Sequence, residues 1–70
     1  METLEFRQIL KGILKEYALT QTAFASIIGV KQSQVSEWLK GKAKPGYDNL
    51  RAILLNFDIP AEYLLGIKEL

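Results

Sequence analysis

Apolar residues recur along this chain at three- and four-residue intervals, and the sets they form predict helices rather than strands. Phe6, Leu10, Ile13, Leu14 and Tyr17 make one stripe, enough for an amphipathic helix. Thr3 is placed to cap that helix, which then starts at Leu4 with Glu5 in its favourable first turn. Gly12 inside the stripe costs about 1 kcal/mol relative to alanine. Phe24, Ala25 and Ile28 form a second set; Val35, Trp38 and Leu39 form a third. Leu50, Ile53, Leu54 and Phe57 give a fourth helix its core face. Ala61 to Leu65 predicts a short fifth helix that ends at Gly66. No β alternation of useful length, repeat or low-complexity tract interrupts this order, so the expected fold class is all-α, in one domain over residues 1–70.

The stretch Thr20–Lys40 organises the rest. Thr20 is a good helix cap, although Ala23 stands where a glutamate would complete a capping box. Leu19 can staple against Phe24 across the cap. The small Ala25 lets two helices approach, and Gly29 supplies the positive φ that ends the first of them sharply. Two short helices about a glycine turn are the plan of a helix-turn-helix, whose second helix enters the DNA major groove. That second helix is expected over residues 32–40. Its cap position holds Lys31, a poor cap that puts positive charge at the positive end of the helix dipole, a fault in isolation and an asset beside a phosphate. Val35, Trp38 and Leu39 face one way; Ser33, Ser36, Glu37 and Lys40 form the opposite face.

Composition narrows the chemistry. Seventy residues with no cysteine and no histidine exclude disulfides, the usual zinc sites and Ser–His or Cys–His nucleophile pairs. Eight acidic side chains are present, but no spacing places two in an apolar cleft and no phosphate loop occurs. The chain is therefore not expected to be an enzyme, and no cofactor or metal is expected. Stability must come from packed apolar side chains, which 49% hydrophobic content permits. No apolar run approaches the roughly 18 residues of a membrane span, and the N-terminus does not read as a signal peptide, so a cytoplasmic location is expected.

The net charge of +1 is uninformative, but its distribution is not. Residues 31–51 carry Lys31, Lys40, Lys42, Lys44 and Arg51 against Glu37 and Asp48, a local excess of +3 on and just after the proposed second helix of the pair. Such a patch suits phosphate contact; a solvated lysine-rich loop is the plainer alternative.

Taken in order, three fragments carry a resemblance to a known family: LTQTAFASIIGV, VSEWLKGK and KPGYDNLRAILLNFDIPAEYLLG. Up to about Ile67 the chain resembles the lambda-repressor-like DNA-binding domains, the Cro and phage-repressor (Xre) type. The resemblance implies five helices, with the third reading bases in the major groove, and usually a homodimer on a palindromic double-stranded operator, acting as a repressor or regulator. It puts base contacts at Gln32, Ser33, Ser36 and Glu37. It puts phosphate or positioning contacts at Gln21, Lys31, Lys40, Lys42 and Lys44. Three positions depart from the family pattern. Leu14 and Leu39 stand where many members pair an arginine with a glutamate, Lys31 replaces a Ser/Thr cap, and Pro60 replaces the cap of the last helix.

Residue chemistry is consistent with these roles. Glutamine can bond bidentately to adenine and glutamate can accept from cytosine. For each, an ordinary exposed helix residue is the alternative. Trp38 is expected in the core by its spacing from Val35, Tyr17 likewise, and Tyr47 and Tyr63 at helix starts. Leu55, Leu65, Ile67 and Leu70 remain after the core is assigned and form the candidate dimer surface. The competing reading is a small helical interaction module, an adaptor or antitoxin-like protein that keeps the fold without reading DNA.

Overall fold

A computed structural model of the chain describes residues 5–67. Five helices follow in order: α1 (Phe6–Glu16), α2 (Gln21–Ile28), α3 (Gln32–Leu39), α4 (Tyr47–Asn56) and α5 (Ala61–Leu64), with no strand among the described residues. α3 is gripped from behind by α2 and α1; α4 packs on α2, and α5 returns to α1.

The core is built largely from the predicted stripes, with Ile9 of α1, which the spacing did not include, added to them. Ile9, Leu10, Ile13, Phe24, Ala25, Ile28, Val35, Trp38, Ile53, Phe57 and Leu64 are buried in one cluster. No polar or charged side chain is buried among the described residues, so no side-chain polar desolvation is set against the apolar term that holds the fold. Leu14 and Leu39, the two leucines that replace an ion pair, are half-buried against this cluster. An apolar pair avoids the desolvation cost of burying two charges.

Helix starts follow local chemistry. Ala23 N–H donates to Thr20 Oγ1 at 3.1 Å, as Thr20 and the missing capping-box glutamate predict. The start of α1 differs from expectation. Glu5 is its cap, with Gln8 Oε1 accepting from Glu5 N–H at 3.0 Å, while Thr3 and Leu4 lie outside the described residues. Tyr17 also departs from its core assignment. It caps the end of α1, is 39% exposed, and leans edge-on against Phe57 at a centroid distance of 4.9 Å. A residue at the last position of a stripe has no following turn to hold it down.

Four helices stop by one device. After α1, α2, α3 and α5 a residue takes the left-handed conformation: Ala18 (φ 53°), Gly29 (78°), Gly41 (75°) and Gly66 (75°). In each case the next amide donates back five residues: Leu19 to Leu14, Val30 to Ala25, Lys42 to Glu37 and Ile67 to Glu62, at 2.9–3.0 Å. This is the Schellman closure, which satisfies the last carbonyls of a helix. Gly29 makes the turn between α2 and α3 as its sequence position predicts.

Candidate nucleic-acid interface

α3 is divided lengthwise. Val35 and Trp38 point inward and are buried; Trp38 meets Phe6 of α1 edge-on, with centroids 6.0 Å apart and rings at 83°. Gln32, Ser33, Gln34 and Glu37 are exposed on the outward side. Ser36 is half-buried and sits at the margin of that face, a less accessible position than the sequence suggests. Lys31, Lys40, Lys42 and Lys44 are all exposed. Lys31 precedes the helix and Lys40 ends it, roughly 13 Å apart along the axis at the usual rise per residue. The outward strip is thus polar along its length and cationic at both ends.

Gln21 and Gln32, first residues of α2 and α3, are joined directly: Gln32 Nε2 donates to Gln21 Oε1 at 2.7 Å. This bridge fixes the Gln32 amide while using one of its two N–H donors. The remaining N–H and the carbonyl oxygen are the donor–acceptor pair that matches adenine N7 and N6 in the major groove. Gln21 retains its own NH₂ group, which suits a phosphate oxygen beside the start of α2. The family resemblance assigns Gln21 and Gln32 separate contacts; the coupling between them is visible only in three dimensions.

The fault at Lys31 is partly repaired. A lysine side chain carries no acceptor and cannot cap. Instead Gln34 Oε1 accepts from Lys31 N–H at 3.1 Å, the reciprocal half of a capping box supplied from the third helical position. Gln34 is thereby engaged by the backbone rather than offered outward, and the Lys31 ammonium is left to solvent.

Of the residues assigned to a partner surface, Leu55 is 72%, Ile67 57% and Leu65 55% exposed; Leu70 lies outside the described residues. Among the described residues no helix is long and apolar enough to cross a membrane, and no group of carboxylates gathers as metal ligands would.

Residues 8–68 match the family model of a helix-turn-helix domain. No curated protein sequence matches the chain significantly. Among solved structures, a transcriptional regulator from Listeria innocua superposes with a TM-score of 0.82 at 22% identity, covering 100% of this chain and 65% of that one. The chain therefore spans just under two thirds of that protein's length, and at this identity the likeness shows a shared fold. The paired helices α2 and α3, the glycine turn between them and a family match over most of the sequence agree: the chain belongs to the helix-turn-helix domain family, in the all-α, five-helix architecture of the lambda-repressor-like DNA-binding domains.

Proposed function

We propose that this protein is a sequence-specific double-stranded DNA-binding transcriptional regulator, acting as a repressor, with α3 in the major groove. The carrying observation is the Gln32–Gln21 bridge at the leading end of α3. It holds a bidentate hydrogen-bonding amide on an exposed helix whose other side is buried core. In this reading Gln32 and Ser33 contact bases first, with Ser36 and Glu37 further along the groove. Gln21, Lys31, Lys40, Lys42 and Lys44 contact the phosphates on either side. The shared fold with a transcriptional regulator supports the assignment.

A single α3 reads only a few base pairs. A homodimer on a palindromic operator doubles the contact, and exposed Leu55, Leu65 and Ile67 supply apolar surface for it. The same residues favour the second reading, a small interaction module that binds a protein instead of DNA. Selection of bound sequences from a random duplex pool separates the two. The first reading expects enrichment of a palindromic consensus; absence of any enriched sequence, together with a stable heteromeric complex, supports the second. Sedimentation of Leu55→Ser and Leu65→Ser variants tests the dimer surface, with a shift toward monomer expected.

A further inference from the structure

Gly41 is the residue on which the end of α3 turns, and the Arg7 side chain lies beside it. A Cβ at Gly41 would stand 3.5 Å from Arg7 Cδ and 3.7 Å from Arg7 Nη1. Arg7 belongs to the first turn of α1, so a cation from the opposite end of the sequence is laid over the exit of the recognition helix. Lys40 and Lys42 are the chain neighbours of Gly41, and Lys44 lines the same surface groove as Arg7 and Gly41. The basic edge therefore has four cations where the charge pattern along the sequence counts three.

Arg7 is held but not consumed. Its Nε donates to Glu5 Oε2 at 2.8 Å, and the two side chains are 51% and 66% exposed. An ion pair this exposed is weak and readily exchanged for a better anion. A guanidinium carries five donors in a planar fork, and Glu5 engages its Nε edge, so the terminal nitrogens suit a phosphate. Glu5 also places a negative charge where a phosphate would come, which disfavours loose association.

We propose that Arg7 is a phosphate-contacting residue at the C-terminal edge of α3, and that Glu5 restrains both its position and its attraction for DNA. This rests on the reading that α3 lies in the major groove. The competing role for Arg7 is purely structural, as a cation at the negative end of the α3 dipole.

The test uses the full chain, with the selected operator duplex and an unrelated duplex, titrated over a range of salt concentrations. Arg7→Gln is expected to weaken both duplexes by the same factor and to shrink the slope of log K against log salt by about 0.9, one phosphate's share in B-DNA. Base preference should be unchanged. Arg7→Lys should restore most of the slope, and Glu5→Gln should tighten both duplexes. Lys40→Ala serves as the reference. If Lys40→Ala lowers the slope while Arg7→Gln leaves it at the wild-type value, Arg7 is structural and the inference fails alone. If the wild-type protein binds neither duplex, the DNA reading fails and takes this inference with it. A loss of folding in Arg7→Gln leaves the decision to Arg7→Lys and Glu5→Gln, where unchanged binding by Glu5→Gln overturns the restraint.

Discussion

Gln32 donates to Gln21 across the turn between α2 and α3, at 2.7 Å, and in the proposed DNA-bound state this bridge aims the base-contacting amide. Removing Gln32 deletes a bidentate contact and should cost about 1–3 kcal/mol at one base pair of the operator. Removing Gln21 should also relax selectivity at that same base pair, because an unaimed amide loses its geometry. Binding of single-substitution operators to Gln21→Ala, Gln32→Ala and the double variant measures the coupling. Additive effects would show that the bridge does not matter on DNA.

Lys40→Ala is expected to behave differently from Gln32→Ala. It should weaken all duplexes alike and lower the salt dependence by about one unit of slope. Titrations of matched and mismatched duplexes at two salt concentrations distinguish the pair.

Gln34 stands beside the proposed base-contacting residues in sequence yet bonds to the Lys31 backbone. Gln34→Ala should lower stability by about 0.5–1 kcal/mol, the range of a lost helix cap, without changing which bases are preferred. Chemical denaturation and binding to mismatched operators are the two readouts.

Ala18 takes the left-handed conformation that glycine takes at the other three helix ends of this type. An L-residue there is strained by about 1–2 kcal/mol, while glycine costs about 0.4–1 kcal/mol through the unfolded chain. Ala18→Gly should therefore stabilise the protein by about 0.5–1 kcal/mol, seen as a higher denaturation midpoint at unchanged m-value.

Gly12 lies within α1, where alanine would gain about 1 kcal/mol of helix propensity. A Cβ there would meet the Tyr63 hydroxyl at 3.1 Å, tighter than ordinary contact. Gly12→Ala alone should gain little. In a Tyr63→Phe background, which removes the hydroxyl, the same change should recover most of the propensity gain. Thermal denaturation of the four-protein cycle measures it.

How much of this was legible in the sequence depends on the range of the interaction. The five helices, the buried faces of α1 to α3, the Thr20 cap and the turn at Gly29 follow from spacing of three and four residues and from residue-specific backbone preferences, which are local. The contacts between elements were not legible: Gln21 with Gln32, Arg7 over Gly41, Tyr63 over Gly12. Each depends on how helices cross, and no periodicity encodes that. Ala18 gave no sign because its conformation is usual only for glycine. Tyr17 kept the right phase but lost burial at the end of its helix. Lys31 read as an uncapped helix start because the partner of its backbone amide is a residue three positions on, with a side chain that also suits base contact.

The buried contact of Trp38 with Phe6 has one more consequence. Trp38 is the sole tryptophan of the chain, sits on the inner side of α3 and is only 3% exposed. The molecule thus carries an intrinsic fluorophore on the inner side of α3. Its emission reports whether α3 is seated on α1, and it is shielded by the helix itself from direct stacking with bases. Unfolding should move that emission to longer wavelength. Ligands docking on the outward face should leave its position nearly unchanged, so one optical signal separates loss of the fold from occupation of the surface.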